Sequence, residues 1–301
     1  MNRNFVPQNA LGINVKSCFG HEILACLIAK HFDQKVYVIP QKSNCEEYEN
    51  ESKKIIRVLS FFYPAEKIIS VAFEQREEIY AQTWDFVSDL CSEKIDDALW
   101  DETVHTRLEP QIPAEMLPAF ESLNSNPKTK IGIVPGKLVS DGRCKLSAED
   151  QSLPVDIYDF LPCFNDEMLV FCQHFSKTND LGKLQEVKDV YPGIYIPGET
   201  EEEHTFGIRG VDHSQFYNMY ASLNGVIGIA GTHTWIMMAM FPYTAQIVLN
   251  NTNGVEHWEA IAAAKQRAGY PFYQIGYNAD SDLFELKEDI EDAYYGSPIS
   301  F

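Results

Sequence analysis

The chain has 301 residues, 45% of them hydrophobic and 23% charged, a length that suits two domains or one large α/β domain. That much apolar surface excludes collagen-like repeats, low-complexity sequence and wholesale disorder. With 24 Lys+Arg against 44 Asp+Glu, the formal charge of −20 repels phosphate backbones and anionic lipid. Nucleic acid is therefore not an expected partner, although a local basic pocket for one phosphorylated small molecule remains open.

Residues 1–14 lack the continuous apolar stretch of a signal peptide. Residues 11–15 suit a short strand, and residues 20–32 a helix with Ile23, Leu24, Leu27, Ile28 and Phe32 on one face. A buried strand follows at 35–39. The helix expected at 46–62 begins acidic and ends apolar, complementing its own dipole. A strand at 67–73 and a long helix at 74–95 complete the N-terminal alternation. Strands separated by helices argue for βαβ units and a parallel sheet.

Between 110 and 129 the pattern breaks at Pro110, Pro113, Pro118 and Pro127, with Asn124-Ser125-Asn126 adding a turn signal. This stretch is the expected linker between an N-terminal domain, 1–109, and a C-terminal domain, 130–301. Strands are then expected at 130–134, 168–172, 193–196, 226–230, 245–249 and 272–276. Helices fill the gaps at 181–190, 215–223, 234–240 and 257–268. Residues 214–255 contain no Asp, Glu, Lys or Arg, yet Asn224-Gly225, the turn at 231–234 and Pro242 interrupt them. No apolar span of about 20 residues survives, so a buried strand, helix and strand is expected rather than a transmembrane segment. Seven Cys without a CxxC pair read as reduced thiols in a cytoplasmic protein. The expected architecture is two Rossmann-like, doubly wound parallel-sheet domains facing a cleft, with ligands outside the carboxyl ends of the strands.

Several nucleotide and hydrolase signatures are missing. Residues 132–137 end like a P-loop but are one residue short, and Leu138 stands where Ser or Thr belongs. No GxGxxG follows a strand, no GxSxG elbow appears and no HExxH occurs, so no metal site is expected. Asp280-Ser281-Asp282 suits either a polar turn or a divalent cation beside a diphosphate, the turn being the better fit.

Two segments carry chemistry. In the first, Gly20 stands at a strand-to-helix turn, where its backbone admits close approach by a ligand. His21 follows in the first helical turn, placed to take a proton near neutral pH, with Glu22 beside it. The plainer reading is that His21 packs the helix and Glu22 complements its dipole. In the second, a strand runs through Gly228 into Gly231, Thr232, His233 and Thr234 and then a wholly apolar helix stopped by Pro242. Backbone N–H groups, two hydroxyls and an imidazole there form a cradle for a diphosphate. The plainer reading is a connector whose threonines only cap the helix.

Gly20-His21 before an apolar helix resembles the N-terminal glycine–histidine turn of glycosyltransferases with the two-Rossmann (GT-B) fold. The segment from Gly231 to Pro242 resembles the nucleotide-sugar half of that fold, and its spacing is similar to that of the heptosyltransferase-like group. Residues 130–136, ending in Pro135-Gly136 ahead of Lys137, Arg143 and Lys145, resemble the same group's first C-terminal strand. Ile229-Ala230 stand where that group has Asp-Thr, and His21 stands where it has Asp, so neither a heptose donor nor a lipopolysaccharide acceptor is implied.

The resemblance implies a metal-independent glycosyltransferase that moves a sugar from a nucleotide-diphosphate donor to an acceptor hydroxyl on a glycan, a lipid-linked molecule or a protein. No cofactor beyond the donor substrate is implied. His21, or else Glu22, would deprotonate the acceptor. Gly20, Gly136, Lys137, Arg143, Lys145 and residues 231–234 would bind the donor, with Lys137, Arg143 or Lys145 neutralising the leaving group. Gly198 and Glu199 would contact the base or ribose. A nucleotide-sugar epimerase and a non-catalytic nucleotide- or glycan-binding protein of the same fold are the alternatives.

Overall fold

The computed structural model describes residues 5–7, 9–16, 20–134, 137–138, 144–145, 166–172, 188–189, 192–197, 213–251, 257–277 and 281–296. The chain divides into two units, Met1–Ala114 and Glu115–Phe301.

In the first unit, β1 (Ile13–Val15) leads to α1 (Gly20–His31), β2 (Val36–Val38), α2 (Cys45–Phe62) and β3 (Ile68–Ser70). The three strands pair in parallel in the order β1-β2-β3, in register Ile13 with Val36 and Val36 with Ile68. Parallel strands need crossovers, and the helices supply them. Residues Ile23 to Ala29 of α1 are all buried, so this helix is apolar around its circumference rather than along one expected face. Asn44 opens α2 by accepting the Glu47 N–H at 2.9 Å, and Pro64 follows its extended C-cap, Tyr63.

The long helix expected at 74–95 is broken. A 3-10 turn at Phe73–Gln75 runs into α3 (Arg76–Gln82), and α4 (Phe86–Cys91) and α5 (Ala98–Thr103) follow separately. Thr83 ends α3 in an extended conformation, its hydroxyl donating to Ile79 O at 3.0 Å. Trp84 then bridges Ile13 in parallel: its N–H reaches Gly12 O at 2.8 Å, and Asn14 N–H reaches Trp84 O at 2.9 Å. β-Branched and aromatic residues favour that pleated surface over a helix interior. Asp85 restarts the helix by accepting the Ser88 N–H at 3.1 Å. Counted in sequence, the unit's strand order is thus 3-2-1-4, with Trp84 as the fourth position.

The second unit holds α6 (Glu121–Asn124), β4 (Lys130–Val134), the antiparallel pair β5 (Lys137–Leu138) and β6 (Cys144–Lys145), and β7 (Met168–Phe171). Beyond these come α7 (Tyr217–Ala221), β8 (Gly225–Ile229), α8 (Thr232–Met240), β9 (Ala245–Asn251), α9 (His257–Arg267), β10 (Phe272–Tyr277) and α10 (Leu283–Tyr295). Five strands form one parallel sheet, β10-β9-β8-β4-β7. The strand expected at 193–196 contributes one parallel bridge, Tyr195 beside Val170, at the far edge. With that bridge counted the order is 3-2-1-4-5-6, the doubly wound Rossmann arrangement.

Alternate residues of this sheet face opposite layers. Ile131, Ile133, Ile227, Ile247 and Leu249 pack with Leu286, Ile290 and Tyr294 of α10. On the other face Trp258 of α9 stacks on Trp235 of α8, ring centroids 3.9 Å apart. The three elements that make the charge-free stretch resemble a membrane span are therefore core: β8, α8 and β9 form the expected strand, helix and strand. Among the described residues no helix is long and apolar enough to cross a membrane.

Residues 110–129, expected as a connection, carry buried side chains at Leu117, Phe120 and Leu123. Gln111 N–H bonds Phe61 O at 2.8 Å in the first unit, and Asn218 of the second donates to Pro118 O at 3.0 Å.

Candidate functional site

A parallel sheet presents the carboxyl ends of its strands along one edge. Ligands settle where neighbouring strands send the chain in opposite directions. In the first unit that switch lies between β1 and Trp84. Lys16 leaves β1 there and Asp85 leaves Trp84, and the Lys16 Nζ and the Tyr80 hydroxyl both donate to Asp85 Oδ2. The ammonium also lies 5.1 Å from the Tyr80 ring centroid. Burial by itself would raise the Asp85 carboxyl, but hydrogen bonds from Lys16, Tyr80 and Ser88 outweigh it and hold the pKa below the ordinary value. Burial likewise opposes the charge on Lys16, and the same partners raise its pKa above the usual lysine value.

The first turn of α1 reaches the same strand end through Glu22. Gly20 is buried, and Glu22, 3% exposed, turns its carboxylate inward to accept the backbone N–H of Lys16 at 3.4 Å. Next to it, Asn14 is buried in β1 with its amide donating to the Thr83 hydroxyl at 3.1 Å. His21 is half-buried, and burial lowers its imidazole pKa below the usual 6.5, so the ring is neutral at neutral pH.

In the second unit the switch lies between β4 and β8. Val134 and Gly228 are register partners there, and a Cβ built on Gly228 would fall 2.3 Å from the Val134 Cβ. Only glycine allows that approach. Beyond β8 the chain turns through Gly231 into α8. The Gly231 N–H donates to Thr234 Oγ1 at 2.8 Å, and the Thr234 hydroxyl returns a 2.8 Å bond to Gly231 O. Thr234 is fully buried, and its hydroxyl is committed to capping the helix. His233 is also buried, with Nδ1 against the Tyr220 hydroxyl. Gly231 and Thr232 stay half-buried. Gly231 has φ 175°, ordinary extended backbone, and among the described residues a Cβ there would meet nothing closer than Ile229 O at 3.8 Å. No contact with a described residue demands glycine at 231.

The residues expected around these centres divide three ways. His21 and Glu22 lie together at the first switch, and residues 231–234 lie at the second. Lys137 and Lys145 are register partners in the β5–β6 pair, which begins three residues after β4; their side chains lie outside the described set. Gly136, Arg143, Gly198 and Glu199 lie outside the described residues. Of the acidic triplet, Asp282 caps α10 by accepting the Phe284 N–H at 2.7 Å, and Asp280 lies outside the described residues. Among the described residues no three His, Cys, Asp or Glu side chains converge as a metal site.

Lys16, Tyr80 and Asp85 are absent from the sequence reading. Reading 74–95 as one helix hides the break at Thr83-Trp84. The local signal was available: a β-branched residue and an aromatic precede an aspartate three residues ahead of Ser88. No family model, no curated protein and no solved structure matches the chain.

Proposed function

We propose that the chain is a metal-independent glycosyltransferase of the two-Rossmann kind, moving a sugar from a nucleotide-diphosphate donor to an acceptor hydroxyl. One observation carries the reading: the glycine–histidine turn and the Gly231–Thr234 turn each follow the first or fourth strand at the switch point of a parallel sheet. Those are the places where such sheets bind small molecules.

Of the two candidate bases, His21 suits the acceptor proton better. It is partly accessible, and its lowered pKa leaves a lone pair at neutral pH. Glu22 is buried and holds the end of β1. The donor diphosphate would lie at the start of α8, where a helix leaves its first N–H groups for partners outside itself. Thr232 would add its hydroxyl, and the open space over Gly231 would let a phosphate approach the backbone. His233 and Thr234 shape this turn from within. Lys137, Arg143 and Lys145 would neutralise the departing diphosphate, with Gly198 and Glu199 at the base or ribose.

The test is thermal stability against UDP, GDP, ADP, CMP and dTDP compounds, with and without EDTA, followed by transfer assays. A nucleotide at about 100 times its dissociation constant adds roughly 2.7 kcal/mol. A hit that survives EDTA, with transfer to an acceptor that His21→Ala abolishes while donor binding persists, is the expected result. Interconversion of the sugar without an acceptor would make the protein an epimerase. Binding without transfer across glycan, lipid-linked and peptide acceptors would make it a non-catalytic binder.

A further inference from the structure

His233 enters α8 with its imidazole turned into the second unit, 7% exposed, and its Nδ1 meets the hydroxyl of Tyr220, 13 residues earlier. Tyr220 is itself buried, in α7, with its ring 6.2 Å from that of Phe216. A phenol and an imidazole can bond in two ways: the hydroxyl donates to a bare Nδ1, or an Nδ1–H donates to the phenol oxygen. Burial, with a smaller contribution from the Cys172 thiol, pushes the Tyr220 phenol well above its usual pKa, so it keeps its proton. With Nδ1–H as donor, both the phenol proton and the buried Nε2 lone pair would need other partners; with the hydroxyl as donor only the Nε2–H does, and each buried polar group left unsatisfied costs about 1–3 kcal/mol.

We infer that Tyr220 is a positioning residue whose hydroxyl donates to Nδ1 of His233, fixing the ring proton on Nε2 and holding the imidazole inward beneath the turn at the β4–β8 switch. The neutral ring then anchors the residue that joins Thr232 to Thr234 in the opening turn of α8. The consequence for ligands rests on the reading of that turn as a diphosphate seat; the tautomer itself does not.

Tyr220→Phe separates the hydrogen bond from the ring packing, since the rings of Tyr220 and His233 also meet edge-on at 6.0 Å. Nitrogen-15 NMR of the full chain with labelled histidine, assigned with His233→Gln, reads the tautomer directly. The expected wild-type spectrum shows His233 protonated at Nε2 and bare at Nδ1 at neutral pH. A ring protonated at Nδ1, or at both nitrogens, overturns the inference, and this wild-type result stands even if the variant does not fold. In Tyr220→Phe the tautomers should mix; an unchanged His233 signal also overturns it.

Binding supplies the second arm, using UDP, GDP, ADP and dTDP beside their parent nucleosides. Tyr220→Phe should weaken whichever diphosphate binds by about fivefold, the worth of one neutral hydrogen bond, and leave the nucleoside unchanged. Equal weakening of both overturns the role at the diphosphate. If no nucleotide binds the wild type, the functional reading fails, while the tautomer is still measured.

Discussion

Lys265 carries its ammonium into the core of the second unit, 4% exposed, 4.9 Å from the centroid of the Tyr270 ring. Burial lowers its pKa to about 8, against 10.5 for the ordinary group. Below pH 8 both folded and unfolded chains hold the proton, and the buried charge costs its full amount. Between about 8 and 10.5 the unfolded chain holds a proton that the folded one has lost, so stability rises with pH across that window. Lys265→Met should therefore stabilise the protein at pH 7 by about 2–3 kcal/mol, with the lost contact to Tyr270 offsetting part of the gain. The gain should fade to nothing by pH 10.5, as melting curves of both proteins across this range will show. The candidate base illustrates what is legible at this scale. Gly20-His21 stands out because a turn glycine and a titratable neighbour are adjacent in sequence. The Lys16–Asp85 pair does not, because it joins residues 69 apart, and only the fold brings them together.

Among the elements, the break between α3 and α4 matters most to the first switch. Helix periodicity runs through 74–95, yet the backbone at 83–84 gains more from pairing with Gly12 and Asn14 of the sheet. Local propensity is a weak prior, and here a long-range pairing overrides it. Asp85 is the hinge of that arrangement, since it caps α4 and anchors both Lys16 and Tyr80. Asp85→Ala removes the cap and leaves the partly buried Lys16 ammonium without its anion, for a loss of about 1–2 kcal/mol. Because the folded carboxyl titrates below its unfolded value, this stabilisation is complete above the unfolded pKa of about 3.9. It disappears as pH falls through the lower folded value. Denaturant titrations should thus show wild type and Asp85→Ala well apart at pH 7 and converging below pH 4. Asp85→Asn, which keeps a capping oxygen without the charge, should fall between them.

Across the whole molecule, the alternation of strands and helices made two parallel α/β units legible, because each short apolar run between helices has no other way to bury itself. Strand order was not legible. It depends on which edges meet, and the two fourth positions, Trp84 and β8, are recruited across long stretches of sequence. Those same junctions separate what the glycines do for the fold from what they would do for a ligand. Gly228 lies inside the β4–β8 contact, where an added methyl would overlap Val134 Cβ at 2.3 Å and its carbonyl oxygen at 2.9 Å. Gly228→Ala should cost about 2–3 kcal/mol, the price of overpacking against backbone that cannot move aside. Gly231, three residues on, has extended backbone, and no described residue comes closer than 3.8 Å to an added Cβ, so Gly231→Ala should leave the unfolding free energy unchanged within about 0.5 kcal/mol. If a diphosphate approaches that backbone, the same methyl blocks it, and nucleotide affinity should fall by about tenfold or more, read as a smaller nucleotide-induced rise in melting temperature. Equal nucleotide binding by Gly231→Ala and wild type would remove this turn from the donor site and leave glycine at 231 without a steric role.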